Sequence, residues 1–413
     1  MSEAQRARVE RFLQGPAVTE VLAAFNGGGE ETRVIGGAVR DLLLGEPVGD
    51  VDLATTALPE EVIRRAAAAG FKSVPTGIEH GTVTIVAHGV PFETTTLRRD
   101  VETDGRRAKV VFGRDFAEDA IRRDFTVNGL GLGRDGTVHD YCDGLVDLAA
   151  RRIRFIGDAN LRIREDYLRI LRFFRFHARY GEGALDATGL AACTAGRAGL
   201  DGLSRERVRA ELLKLLVAPR AADALSAMMG AGLLVPVIGG VPRLSRFAAI
   251  AADGPAGAVY PAFRLAALAI GVREDALRLR DGLRLSNEQF GRIERIALAL
   301  EGLSGRVTDC SIAMLRHLAH RVGADAVAGG LVLLTASENS RGHAKVQAAI
   351  AELGRTPPFL LSGRDVLKRG VAAGPDVGRV LDQARRDWIE AGCTGERAQQ
   401  LAFVESAIAQ RER

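Results

Sequence analysis

The side chains best placed to do chemistry fall within residues 33 to 56, where Gly36-Gly37 is followed by Arg40 and Asp41 and then by Asp50 and Asp52. The short apolar strand Val34-Ile35 runs into the two glycines, and a helix with Arg40 and Asp41 in its first turns follows. Glycines at such a turn let the backbone approach a ligand closely, and the free amides and positive dipole end of the helix attract an anion such as a triphosphate. In a strand, residues i and i+2 share a face, so Asp50 and Asp52 can converge on a hard, oxygen-preferring cation. A phosphate cradle beside paired carboxylates is what phosphoryl or nucleotidyl transfer requires. Taken singly, a Gly-Gly is usually a turn, and an Asp-x-Asp is usually a strand end or a helix cap.

Two further stretches accompany the first. One runs Asp119-Ala120-Ile121-Arg122-Arg123-Asp124-Phe125-Thr126-Val127-Asn128, and the other Arg164-Glu165-Asp166-Tyr167-Leu168-Arg169-Ile170-Leu171-Arg172-Phe173-Phe174-Arg175. Together the three resemble the class II nucleotidyltransferase family, which holds tRNA CCA-adding enzymes and bacterial poly(A) polymerases. The family pattern Gly-Gly-x-Val-Arg-Asp then Asp-x-Asp is met by Gly36, Gly37, Val39, Arg40, Asp41, Asp50 and Asp52. Arg-Arg-Asp-Phe-Thr-x-Asn is met by residues 122 to 128, and Glu-Asp-x-x-Arg by Glu165, Asp166 and Arg169.

The resemblance implies an α+β fold, with a polymerase-beta-like nucleotidyltransferase head followed by all-helical neck, body and tail domains around a curved, basic-lined cleft. The expected boundaries are 1–145, 146–205, 206–300 and 301–413. Asp50 and Asp52 are expected to hold Mg²⁺. Glu93, in Glu93-Thr94-Thr95-Thr96, matches the family's Glu-x-Thr-Thr motif loosely as a third acid, with an ion pair to an arginine on the sheet face as the competing account. Gly36, Gly37, Arg40 and Arg123 are expected around the triphosphate, while Asp124 and Asn128 lock the local backbone. Arg172 and Arg175 fall where family members contact the nucleotide.

Base choice follows from chemistry at Asp166 and Arg169. Cytosine and adenine both present an exocyclic amino donor beside a ring-nitrogen acceptor, whereas uracil and guanine present the reverse. A carboxylate at Asp166 can accept from the amino group while Arg169 donates to the ring nitrogen. A mismatched base leaves buried polar groups unpaired, at a cost on the order of 1 to 3 kcal/mol each. The spacing predicts one helix with a slanted polar stripe at Asp166, Arg169, Arg172 and Arg175, since three residues turn about 300°. Opposite lies an apolar face of Ile170, Leu171 and Phe174.

The elements that must position these groups are legible in outline. Residues 1 to 26 read as one amphipathic helix. Pro59-Glu60-Glu61 opens a helix to about Ala69, and residues 82 to 87 and 90 to 96 form a hairpin through His88-Gly89. Residues 98 to 115, dense in charge with a central Asp-Gly, resemble the flexible loop of the family, although an exposed hairpin tip would look the same. His139-Asp140 lacks the further histidines of a metal phosphohydrolase and reads as a turn, and His317 with His320 lacks further ligands. Beyond residue 157 the chain is helical. Ser204 caps a helix resembling the family's Arg-x-x-x-Glu-x-x-Lys brace, Ser286 opens another, and Gly254 to Pro261 is a joint. Residues 361 to 392 resemble the tail segment that holds the tRNA elbow and arm, with Gly374-Pro375 and Gly378 punctuating two helices.

At 413 residues the chain can form roughly two to four compact units. Its 47% hydrophobic and 26% charged content is that of a globular protein. A charged first segment, no long apolar run and four scattered cysteines (Cys142, Cys193, Cys310, Cys393) point to the cytoplasm and argue against disulfides or zinc. Of 56 basic residues only five are lysines. Arginine suits phosphate and base recognition, yet coding bias explains most of the excess equally well. The sequence thus predicts addition of C, C and A to tRNA from CTP and ATP. Poly(A) polymerase is the alternative, opposed by the absence of a long basic extension and by Gly105-Arg106-Arg107-Ala108 in place of Gly-Arg-Arg-Phe. A partial CC- or A-adding enzyme and a non-catalytic RNA-binding relative complete the set.

Overall fold

The computed structural model of the chain describes residues 1–104, 107–253, 260–304, 311–336, 348–354, 358–393 and 395–411. It divides into two units, Met1–Leu203 with Ala218–Leu233 and Ser204–Val217 with Leu234–Arg413.

The first unit opens with α1 (Glu3–Leu13) and α2 (Pro16–Phe25), where the sequence suggests a single helix. Gly15 is extended, and Pro16, which has no amide proton and suits only a first turn, starts a new helix there. Next come β1 (Thr32–Ile35), α3 (Gly37–Leu44), β2 (Val51–Thr55), α4 (Pro59–Ala68), β3 (Lys72–Gly77), β4 (Thr82–Ala87) and β5 (Val90–Thr96). The β4–β5 hairpin turns at His88 and Gly89, both with positive φ, which matches the twist of the flanking strands. β6 (Arg98–Asp104) and β7 (Arg107–Phe112) pair as a separate two-stranded sheet, so the charged stretch is a hairpin in its backbone. Its Gly105-Arg106 tip, and with it half of the Gly-Arg-Arg-Phe comparison, lies outside the described residues. α5 (Phe116–Ile121), β8 (Leu130–Leu132), β9 (Val138–Asp140), α6 (Gly144–Ala149), α7 (Ala159–Glu165), α8 (Leu168–Tyr180) and α9 (Ala187–Ala195) follow.

The main sheet has seven strands in the order β3-β4-β5-β2-β1-β8-β9. Only β2 and β5 pair in parallel; their neighbours are antiparallel. Alternation along β4 shows why the strands lie as they do: Val83, Ile85 and Ala87 are buried while Thr82, Thr84 and Val86 are half-buried. Val34, Leu53, Ile85 and Phe92 form the inner layer with Leu22 and Phe25 of α2. The amphipathic α8 buries Ile170, Leu171 and Phe174 as its periodicity predicts, together with Phe173. Phe125 packs against Phe155, Phe173 and Phe176 with ring centroids 5.0, 6.3 and 5.1 Å away, so α8 docks on the Arg122–Asn128 segment.

The second unit is helical throughout its described residues. Ser204 caps helix Arg205–Leu216, and Ser286 with Gln289 forms a reciprocal capping box on helix Asn287–Leu303. Of the joint expected at 254 to 261, residues 254–259 lie outside the described residues, and Pro261 opens helix Pro261–Ala269. Gly374 precedes helix Pro375–Glu390, but Gly378 sits inside it rather than punctuating it, because Pro375 already supplies the start. Cys310 is likewise outside the described residues. No single helix among them is long and apolar enough to cross a membrane.

Candidate active site

Strand pairing assembles the acidic group. Asp52 on β2 is in register with Glu93 on the parallel strand β5 and with Ile35 on the antiparallel strand β1, so the two carboxylates stand side by side where β1 ends. Asp50 lies just before β2 and is exposed. Burial pushes the carboxyl of Asp52 above its ordinary value of 3.8, the charges of Glu93 and Asp50 push it further, and Arg123 opposes them. Such a cluster, only partly offset by Arg123, fits a hard cation. Among the described residues no three acidic, histidine or cysteine side chains close on one point. The fit is therefore to an ion held by few carboxylates and completed by water and substrate phosphate, as magnesium usually is.

The anion side begins at Gly36. Its amide donates to Leu130 O on β8 at 3.0 Å, and its backbone, with φ 67° and ψ −124°, takes a conformation that only glycine adopts readily. The chain then enters α3, whose first amides point out of the turn. Nη1 of Arg123 lies against this turn, while its Nη2 donates to Asp119 Oδ2 at 3.1 Å. Burial would raise the carboxyl of Asp119, but the Arg123 and Arg122 guanidiniums hold it below its ordinary value. Asp119, not foreseen as a site residue, lies in α5 four residues before Arg123, which follows the end of that helix, and that spacing is its only sequence signal.

Arg40, expected beside the triphosphate, is turned into the protein. It is 5% exposed, and its guanidinium is committed within the protein: Nε donates to Asp41 Oδ1 at 2.9 Å, Nη1 to Asn128 Oδ1 at 2.6 Å and Nη2 to Tyr180 OH at 2.7 Å. Asn128 passes the chain on through Nδ2 to Asp124 Oδ1 at 2.9 Å, and Asp124 Oδ2 accepts from Arg172 Nε at 2.7 Å. Burial alone would raise the Asp124 carboxyl; the charge and hydrogen bonds of Arg172 and Asn128 hold it low. The expected backbone lock at Asp124 and Asn128 is thus part of a polar chain reaching from α3 to α8. Arg40 faces inward because Val39, Leu42 and Leu43 beside it are buried.

Asp166 is likewise not on the helix that carries the arginines. It ends α7 in an extended conformation with φ −157°, and α8 starts at Leu168, whose amide donates to Asp166 Oδ1 at 3.1 Å. The predicted stripe is therefore Arg169, Arg172 and Arg175 alone, with Asp166 at its entrance, since a carboxylate that caps the next helix competes with continuing the first. Arg169 Nη1 donates to Glu165 Oε2 at 2.5 Å and to Arg162 O at 2.9 Å, and its Nη2 to Arg122 O at 3.3 Å. Arg175 lies over the Phe176 ring at 4.4 Å. The consecutive residues Arg122 and Arg123 thus link the two halves: the carbonyl of one holds Arg169, and the guanidinium of the other faces Gly36 and Asp52. His139-Asp140, expected as a turn, instead ends strand β9 in register with Gly131 and Leu130, and Asp140 accepts from the amides of Cys142, Gly144 and Leu145 in the turn that follows.

Carboxylates in register at the centre of a mixed sheet, beside a glycine turn and an arginine, define a nucleotidyltransferase head. Residues 32–154 match the family described as "Poly A polymerase head domain", and residues 185–245 match "Probable RNA and SrmB- binding site of polymerase A". The chain is 35% identical over 403 residues to the mitochondrial CCA tRNA nucleotidyltransferase 1 of Mus musculus, covering 95% of this chain and 90% of that one. It is 34% identical over 387 residues to the CCA-adding enzyme of Limosilactobacillus fermentum, with 90% and 91% covered. The crystal structure of the Bacillus stearothermophilus CCA-adding enzyme in complex with CTP matches with a TM-score of 0.72 over 97% of this chain and 99% of that one, at 29% identity. The chain belongs to the CCA tRNA nucleotidyltransferase family.

Proposed function

We propose that this chain adds C, C and A to the 3′ end of tRNA from CTP and ATP without a nucleic-acid template, releasing pyrophosphate at each addition. The observation that supports this reading is the link through Arg122 and Arg123: the carbonyl of Arg122 accepts from Arg169, and the guanidinium of Arg123 lies against Gly36 and acts on Asp52. Asp50 and Asp52 would hold Mg²⁺, with Glu93 as a further acid beside Asp52. When bound, the ion supplies Lewis-acid stabilisation of phosphoryl charge and a more acidic hydroxyl. The Gly36-Gly37 turn and the first amides of α3 receive the triphosphate, and Arg123 offsets the charge that gathers on the leaving pyrophosphate. Asp166 accepts from the amino group of cytosine or adenine while Arg169 donates to the ring nitrogen. The division into head 1–145, neck 146–205, body 206–300 and tail 301–413 assigns base reading to the neck and tRNA elbow contacts to the tail.

The test is to give purified protein tRNAs ending before C, CC or CCA with each nucleoside triphosphate separately and to size the products. Ordered single addition of C, C and A supports the proposal. Long adenosine ladders would identify a poly(A) polymerase, arrest after CC or addition of A alone a partial enzyme, and no incorporation a non-catalytic relative.

A further inference from the structure

Among the polar contacts of α8 with the head, which include Arg169 with Arg122 O and Arg179 with Glu46, two share one buried chain. Near its start Arg172 is paired with Asp124, and at its end the hydroxyl of Tyr180 accepts from Arg40 at 2.7 Å while the Tyr180 ring lies under the same guanidinium at 4.0 Å. Arg40 and Asp124 are joined through Asn128, so the two points belong to one buried polar chain. They are eight residues apart, about 12 Å along the helix axis. Fixing α8 at both points narrows the range over which it can pivot or shift. The apolar face, with Ile170, Phe173 and Phe174 fully buried, already supplies the docking energy. The hydroxyl adds direction and register instead. Arg169 lies one turn before Arg172, with Asp166 at the helix entrance, so any pivot about Arg172 moves Arg169 against the acidic cluster.

We propose that Tyr180 is a positioning residue for base choice: through Arg40 it locks the register of α8, and so keeps Arg169 and Asp166 where they can tell cytosine and adenine from uracil and guanine. The proposal rests on the reading of Asp166 and Arg169 as the base-recognising pair. Tyr180 touches neither nucleotide nor metal in this scheme and acts only through the helix.

Tyr180→Phe keeps the ring over Arg40 and removes the hydroxyl. On tRNA lacking its terminal nucleotides, the kcat/KM ratio of CTP over UTP and of ATP over GTP is expected to fall about ten-fold or more, the effect of losing one hydrogen bond to a charged group. Turnover at saturating CTP should stay within about two-fold of wild type. Arg40→Lys, which cannot hold Tyr180 and Asn128 at once, should show the same loss of selectivity, and the double variant no more than the larger single loss. An unchanged ratio in Tyr180→Phe, or an equal loss with all four nucleotides, overturns the proposal. Thermal melts accompany each variant, and if Tyr180→Phe loses its cooperative transition, Arg40→Lys decides by the same ratio. Asp166→Ala separates the two levels. If it leaves UTP and GTP rejected, the base-reading scheme itself fails; if it loosens choice while Tyr180→Phe does not, only the role of Tyr180 falls.

Discussion

Arg123 lies so close to Gly36 that a Cβ placed on the glycine would come within 2.9 Å of its Nη1. Gly36→Ala therefore acts twice. The positive φ of 67° costs a side-chain-bearing residue about 1–2 kcal/mol, to be read as a lower urea midpoint. The guanidinium, as the mobile partner, moves away from the turn and from Asp52. Incorporation of CTP and ATP should fall about ten-fold or more, beyond what the stability loss explains at assay temperature.

Asp52 is a carboxylate that the fold itself disfavours as an anion, through burial first and the neighbouring Glu93 second. Asp52→Asn relieves that penalty while removing a ligand for the cation. The expected result is a melting temperature equal to or above wild type together with loss of nucleotide incorporation to background. A variant that retained incorporation would remove Asp52 from the metal assignment.

The Arg172–Asp124 pair works in the opposite sense. Asp124 is 7% exposed, and Arg172 is its charged partner at 2.7 Å. Replacing Arg172 with Leu leaves the carboxylate buried without that charge, a change that costs about 3 kcal/mol or more. Denaturant unfolding should show this loss, and Arg172→Leu with Asp124→Asn together should recover part of it, because the uncompensated charge is then gone.

Local chemistry in these motifs was readable before any coordinates. A glycine turn into a helix and a carboxylate pair two residues apart are short-range patterns, and Arg123 lies against Gly36 while its charge acts on Asp52. Glu93 was harder to assign, because its match to Asp52 depends on parallel pairing between β2 and β5, a relation that no period in either strand encodes. The direction of Arg40 is not legible because charge type says nothing of it, and α3 turns the side chain toward Asn128 and Tyr180. The helix break at Asp166 carries no proline or glycine, so the three-residue rhythm of polar positions runs through it undetected. Tyr180 could have been found: Arg172, Phe176 and Tyr180 recur every four residues on one face, and only the buried partner Arg40 was missing from that pattern.

Acid should act on stability in two opposed stages. The carboxyl of Asp52 is raised in the folded protein, so the folded state takes up its proton first as pH falls toward 3.8, and stability rises slightly through that window. Asp124 and Asp119 are lowered, the Arg172 and Asn128 contacts outweighing burial at the first and Arg123 with Arg122 at the second. Their contribution is complete above the ordinary value of 3.8. It is lost as pH falls further, because there the unfolded chain binds the protons more tightly. Urea midpoints measured from about pH 6 to pH 3 should therefore flatten or rise before they drop. Asp52→Asn should remove the early rise and leave the drop. Asp124→Asn should make the drop shallower, since one of the groups that must be protonated at the cost of its ion pair is then absent.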